Sequence, residues 1–266
     1  MPKSRLDLEI VERGLAESRS LAQKLVMAGQ VSVNGQTAMK ASDPVSGGDE
    51  IIINLGPKYV SRGGEKLEAA LEAYNLVDLS DFVCADLGAS TGGFTDCLLQ
   101  HGAARVYAVD VGQGILHWKL RNDPRVVVME KTNARNLNGF PEKMDLLTVD
   151  VSFISIKTIL PVMNTLLKEG SGKVIALVKP QFEAGREAAA KGKGVIRDAE
   201  IHRQVLADVI ESARGIGYSI QGLIPSPLLG PKGNREFLLF LWNFGSDQAD
   251  DADLIAKAVE KAPETK

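Results

Sequence analysis

The apolar positions along this chain change period several times, and those changes mark its elements. Leu6, Ile10, Val11 and Leu15 recur at helical spacing, and Gly14 breaks the run. Ser18 is placed to cap a second helix carrying Leu21, Ala22, Leu25 and Val26, which Gly29 ends. Val31-Ser32-Val33 then alternates before Asn34-Gly35, a strong hairpin signal, and residues 49–55 read as another strand. Residues 1–55 therefore predict a small α+β domain. Pro57 restricts a junction at 56–61 that is too short for a loose tether, so the two parts of the chain are expected to be closely coupled.

From 62 to 244 helical and strand patterns alternate. A helix is expected over 65–74, with Leu67, Ala70 and Leu71 inward. Strands follow over 82–85, 106–109, 126–129, 146–149 and 174–178, with helices near 156–167 and 199–213 and a closing strand over 237–242. This alternation predicts an α/β domain with a doubly wound, mainly parallel sheet. After Phe244 acidic residues dominate and little remains to bury, so 245–266 reads as a tail, disordered or at most a loosely held helix.

The chain is organised around Phe82-Val83-Cys84-Ala85-Asp86-Leu87-Gly88-Ala89-Ser90-Thr91-Gly92-Gly93-Phe94, an apolar strand, a Gly-rich turn and the start of a helix. Such a turn lets a ligand approach bare backbone while helix-start N–H groups face it. The spacing departs from G-x-G-x-x-G, which disfavours a dinucleotide. Asp110 ends the next apolar run about 20 residues on, where a carboxylate can accept hydrogen bonds from both ribose hydroxyls. A cofactor with a free ribose and no pyrophosphate points to S-adenosylmethionine. The turn, Asp86 and Gly88 to Phe94, is then the candidate cradle, and Asn133, past the third strand, is a candidate partner for adenine or simply a turn cap.

Charge narrows little. Lys and Arg number 31 against 34 Asp and Glu, and setting aside the segment after Phe244 leaves 28 of each, so nucleic-acid binding must rest on local patches. Two cysteines, Cys84 and Cys97, make neither a disulfide framework nor a zinc set and fit a reducing cytoplasm. No apolar run approaches the ~20 residues that span a bilayer, and no apolar signal core opens the chain, so neither a membrane nor a metal is expected among its partners.

Ligands of open α/β sheets bind beyond the carboxyl ends of the strands. Asp150 stands at the end of the fourth strand and Lys179 at the end of the fifth, where Pro180 turns the chain outward. Glu236 begins the last strand, which brings it to the same rim if that strand runs antiparallel. Lys66 sits near a helix start, against the dipole, and so calls for another reason to be there. The stretch after Lys179 reads as a long loop bearing Gln181, Phe182, Arg186, Lys191, Lys193 and Arg197, suited to a lid or RNA clamp. Phe182 could stack a flipped base or anchor the loop. Neither an Asn-Pro-Pro-Tyr run nor a Pro-Cys pair is present, which leaves ribose a better methyl acceptor than base nitrogen or carbon.

Arg5-Leu6-Asp7, Ser18-Arg19, Ala22, Leu25, Gly29, Val31 and Val33-Asn34-Gly35 resemble the RNA-binding domain first seen in small-subunit ribosomal protein four. That resemblance makes Arg5, Arg19 and Lys24 candidate phosphate contacts, with Arg62, Lys191 and Lys193 added from the second domain. Lys66, Asp150, Lys179 and Glu236 around the Gly-rich turn resemble the Lys-Asp-Lys-Glu tetrad of the FtsJ class of RNA 2′-O-methyltransferases. With Tyr59-Val60-Ser61-Arg62-Gly63-Gly64, Asp150-Val151-Ser152-Phe153-Ile154-Ser155 and Val178-Lys179-Pro180-Gln181-Phe182-Glu183, the chain is similar to the TlyA family from Arg5 to Trp242.

The resemblance implies an S4-like domain followed by a Rossmann-like class I methyltransferase domain, with ribosomal RNA as partner and cytidine ribose as target. Members are described both as haemolysins and as rRNA methyltransferases, so a membrane-active protein, or an RNA-binding protein without catalysis, is the alternative. Ribose methylation is an in-line displacement that needs an oriented hydroxyl and a base for its proton. A lysine serves when burial and a neighbouring cation favour its neutral form. Lys179 is the candidate base, Lys66 the neighbouring cation, and Asp150 and Glu236 hold the two lysines.

Overall fold

The computed structural model describes residues 3–54, 56–248 and 250–264, and of residues 186 and 189 the backbone only. Leu55 and the Arg186 side chain lie outside the described residues. The chain divides into two compact units, Met1–Lys58 and Tyr59–Lys266.

In the first unit a helix spans Leu6–Glu12 and a second spans Arg19–Met27, whose Leu21 N–H donates to the Ser18 hydroxyl at 3.3 Å. Leu15, expected on the first helix, lies beyond its end and is exposed. Strand Val31–Val33 pairs antiparallel with Gln36–Thr37 through the Asn34-Gly35 turn and with Ile51–Ile53. Leu6, Ile10, Ala22, Val26 and Val31 form the core on which helices and sheet close.

The second unit runs α1 (Gly63–Ala73), β1 (Val83–Leu87), α2 (Gly93–Gln100), β2 (Arg105–Val109), α3 (Trp118–Arg121), β3 (Val126–Met129) and β4 (Leu146–Val149). It continues through α4 (Leu160–Leu166), β5 (Lys173–Val178), α5 (Pro180–Glu183), α6 (Gly185–Lys191), α7 (Ala199–Gly215), β6 (Ser219–Pro225), β7 (Phe237–Trp242) and α8 (Asp251–Lys261). The strands form one sheet in the order β6-β7-β5-β4-β1-β2-β3. Strands β5, β4, β1, β2 and β3 are parallel, and β7 enters antiparallel between β5 and β6. The inner strands are buried on both faces, as a parallel sheet covered by helices requires. Cys84 and Cys97 are buried and are not joined in a disulfide.

Two expectations are corrected. Residues 251–261 are neither disordered nor loose: Ile255, Ala258 and Val259 recur at helical spacing and bury against α7 and β6, while Arg214 pairs with both Asp247 and Asp251. Apolar spacing outweighed acidic composition there. The stretch after Lys179 is not one long loop: the short helices α5 and α6 carry Gln181, Phe182 and Lys191, and 192–198, with Lys193 and Arg197, is non-helical. Among the described residues no helix is long and apolar enough to cross a membrane.

Candidate active site

The turn after β1 is built by close approach of two strand ends. Gly88 has φ +89°, and a Cβ there would lie 2.6 Å from the Asp150 carbonyl oxygen, so only a residue without one lets β1 leave past the end of β4. Gly88 and Ala89 both donate N–H to the Val109 carbonyl, at 2.9 and 3.0 Å, which ties the turn to β2. Asp110 completes the tie, accepting from Ser90 N–H at 2.8 Å and Gly112 N–H at 2.7 Å.

Two cavities open at this rim. The smaller, about 350 Å³, is lined by Gly88, Ser90, Asp110, Ile115, Asn133 and the segment 150–154 among others. Each Asp110 oxygen takes one backbone N–H and keeps a further lone pair, as a ribose diol requires. Asn133 does cap the turn after β3, accepting from Arg135 N–H at 3.1 Å with Oδ1, and the residue lines the same cavity. Bare backbone at Gly88, a carboxylate and an amide around one cleft fit an adenosyl group.

The larger cavity, about 660 Å³, brings together Lys66, Asp150, Lys179 and Glu236, together with Ala89, Thr91, Gly93, Phe94 and Arg62. Gly88, Ser90, Asp150, Ser152 and Phe153 line both cavities, which therefore meet at the end of β4. Sheet register explains the convergence. Val178 pairs with Phe237, so the next residue of β5, Lys179, and the one preceding β7, Glu236, arrive on the same edge.

Lys66 and Glu236 form a buried ion pair. Lys179 Nζ lies 2.5 Å from Asp150 Oδ1 and 3.0 Å from Ser152 Oγ. Glu236 Oε1 is buried with no hydrogen-bond partner among the described residues, at a wall of the larger cavity. The arrangement is two lysine–carboxylate pairs around one space, beside a cleft for a nucleoside-like group.

Two residues expected in the cradle line neither cavity. Asp86 is wholly enclosed beneath the turn, accepting from Thr95 Oγ1 at 2.7 Å and Thr148 Oγ1 at 3.2 Å. Burial, with the nearby Asp150 charge adding to it, pushes its carboxyl up to about 7 against the pull of the threonines. It joins strand to helix from below, where no ligand reaches. Gly92 faces Leu116 and Leu120, with φ +98° at the start of α2.

Of the expected RNA contacts, Lys191 and Lys193 are exposed around the end of α6, and Lys24 is exposed on the second helix of the first unit. Arg5 and Arg19 are half-exposed, and both bind Asp7.

Sequence reasoning missed Phe153 and Ser152. Phe153 is 88% exposed at φ +68°, with its ring centroid 5.3 Å from that of Phe182, so the rim carries an aromatic pair rather than Phe182 alone. Glu183 fastens the loop behind it, accepting from Ser155 Oγ at 2.5 Å and Ile156 N–H at 2.7 Å. The only signal available was position, directly after Asp150 at the ligand-binding rim. Asn234 was also missed. Buried two residues before Glu236, it accepts from Ile196 N–H at 2.9 Å and donates to the Gly194 carbonyl at 2.8 Å, pinning residues 194–196 to the larger cavity.

Comparison with known proteins agrees with this layout. Residues 59–243 match the FtsJ-like methyltransferase family and residues 4–51 the S4 domain. The chain is 47% identical to "Putative rRNA methyltransferase YqxC" of Bacillus subtilis, covering 99% of this chain and 95% of that protein. It is 42% identical to the 16S/23S rRNA (cytidine-2′-O)-methyltransferase TlyA of Mycobacterium tuberculosis, covering 98% and 97%. Among solved structures, one described as "Putative hemolysin" from Streptococcus thermophilus superposes with a TM-score of 0.72 at 44% identity, covering 98% of this chain and 97% of that one. With an S4 domain followed by an FtsJ-like methyltransferase domain, and relatives that match it along their full length, this chain belongs to the TlyA family.

Proposed function

We propose that this protein transfers a methyl group from S-adenosylmethionine to the ribose 2′-oxygen of a cytidine in ribosomal RNA, working in the cytoplasm on ribosomal subunits or their RNA. One observation carries the reading: Lys66, Asp150, Lys179 and Glu236 converge on a cavity that opens into the cleft of Asp110 and Asn133. The names of the full-length relatives support the substrate class.

S-adenosylmethionine, held by the Gly88 turn, Asp110 and Asn133, supplies an electrophilic methyl group when bound. Lys179 accepts the proton of the 2′-hydroxyl as the ribose oxygen attacks, and Asp150, 2.5 Å away, balances the resulting ammonium. Lys66, fixed by Glu236, orients the ribose from the opposite wall. The Phe153 and Phe182 rings at the rim are placed to stack the base of a nucleotide drawn out of the RNA. Arg5, Arg19 and Lys24 of the S4 domain, with Arg62, Lys191 and Lys193, supply phosphate contacts.

The test is tritiated methyl transfer to ribosomes, separated subunits and naked rRNA, comparing the chain with its Lys179→Ala variant. The expected result is label at one ribose, resistant to alkaline cleavage, that falls at least ~10²-fold with the variant. A variant that turns over normally under single-turnover conditions overturns the assignment of the base, and absence of label on every RNA overturns the activity.

A further inference from the structure

Ser152 occupies a place that the tetrad alone does not explain. Its Oγ lies 3.0 Å from Lys179 Nζ, the atom that Asp150 Oδ1 approaches to 2.5 Å. It lines both cavities, so it stands where the methyl group must cross from one to the other. The segment that carries it is anchored at both ends. Asp150 N–H donates to the Leu87 carbonyl at 2.9 Å, and Glu183 holds Ser155 and Ile156.

A lysine amine able to accept a proton has two N–H bonds and one lone pair, disposed tetrahedrally about nitrogen. A single accepted N–H sets the torsion about Cε–Nζ but leaves the lone pair free to take either of the two remaining tetrahedral directions. Two acceptors remove that freedom. Ser152 Oγ accepts one N–H, and the Asp150 carboxylate, 2.5 Å from the same nitrogen, restrains it from a second side, so the two contacts together set the direction of the lone pair. When the ribose O–H bond breaks and the third N–H bond forms, the bond to Ser152 is kept, and Asp150 carries the balancing charge.

We propose that Ser152 is a positioning residue whose hydroxyl, together with Asp150, fixes the direction from which Lys179 takes the 2′-hydroxyl proton. The inference rests on Lys179 being the base, and its test separates the two.

Single-turnover methyl transfer is measured at saturating RNA and S-adenosylmethionine for the unsubstituted chain and for Ser152→Ala, Ser152→Thr and Lys179→Ala, with S-adenosylmethionine affinity read separately by calorimetry. Ser152→Ala is expected to slow the step about tenfold, with KM for RNA and cofactor affinity unchanged, and Ser152→Thr, which keeps the hydroxyl, to recover most of the rate. If Lys179→Ala is inactive while Ser152→Ala stays within about twofold of the unsubstituted chain, the positioning role falls and the base stands. If Lys179→Ala is active, the base falls and Ser152 with it. A Ser152→Ala defect that higher RNA or cofactor concentration abolishes, or that Ser152→Thr shares, also overturns the role.

Discussion

Asp7 in the S4 unit and Asp86 in the methyltransferase unit both lack any solvent contact, yet their surroundings drive them in opposite directions. Asp7 accepts from Arg5 Nε and Nη2 at 3.0 Å each, from Arg19 Nε at 3.0 Å and from Gln23 Nε2 at 2.8 Å. The Arg5 bonds above all, helped by Gln23 and Arg19, hold its carboxyl well below the usual carboxylate range despite burial. Asp86 has neutral donors, two threonine hydroxyls among them, and a second carboxylate nearby, so burial wins. Enclosure therefore does not decide ionisation; the charge of the donors does. One aspartate displays two guanidiniums, and the other braces a turn from inside.

The contrast can be broken most sharply through pH. Asp86, raised from 3.8 to about 7 by folding, contributes most to stability at low pH and loses that contribution as pH rises from about 4 to about 7. The loss is on the order of 4 kcal/mol. In urea unfolding from pH 5 to 8, without cofactor, Asp86→Asn should gain on the unsubstituted chain up to about pH 7 and then hold level; parallel curves throughout would show that Asp86 titrates as an ordinary carboxyl.

Asp7 has the reverse sign, its contribution being present above the ordinary carboxylate range and lost as pH falls below it. Asp7→Ala leaves two guanidiniums that water can reach, so it should destabilise the S4 unit by about 2–3 kcal/mol, less than an enclosed pair would. Hydrogen exchange of residues 4–51 measures this, and rRNA affinity should fall as Arg5 and Arg19 lose their fixed spacing. The smallest effect is expected from Gln23→Ala, about 1 kcal/mol, because a neutral donor is lost while both guanidiniums remain. A loss as large as that of Asp7→Ala would mean that the amide, not the arginines, holds the carboxylate.

Neither behaviour of these aspartates could be read from the sequence. Asp86 at a strand end before a Gly-rich turn looked like a ligand contact, because its enclosure depends on Thr148, 62 residues away on the neighbouring strand. Asp7 stood only as one residue of Arg5-Leu6-Asp7, with nothing in the sequence to show that it would be enclosed. What the sequence carried well was whatever local periodicity fixes. The strand, turn and helix around Gly88 appeared as a change of period, and Glu236 reached the rim because an antiparallel last strand puts it there. Ser152 and Phe153 escaped because a loop after a strand has no period, and their roles arise only where two cavities meet. The terminal helix escaped for another reason: six acids after Phe244 obscured three apolar residues at helical spacing.

The interior place of β7 bears on how the enzyme is born. The strand that completes the sheet between β5 and β6 comes after every other in the chain. Until it inserts, Lys66 has no Glu236, and β5 and β6 both present open hydrogen-bonding edges. During synthesis the S4 unit and the Gly88 turn can thus be complete in sequence while the cavity that Glu236 closes is still unmade. The pairing of Lys66 with Glu236 therefore awaits one six-residue strand, the last of the sheet in chain order.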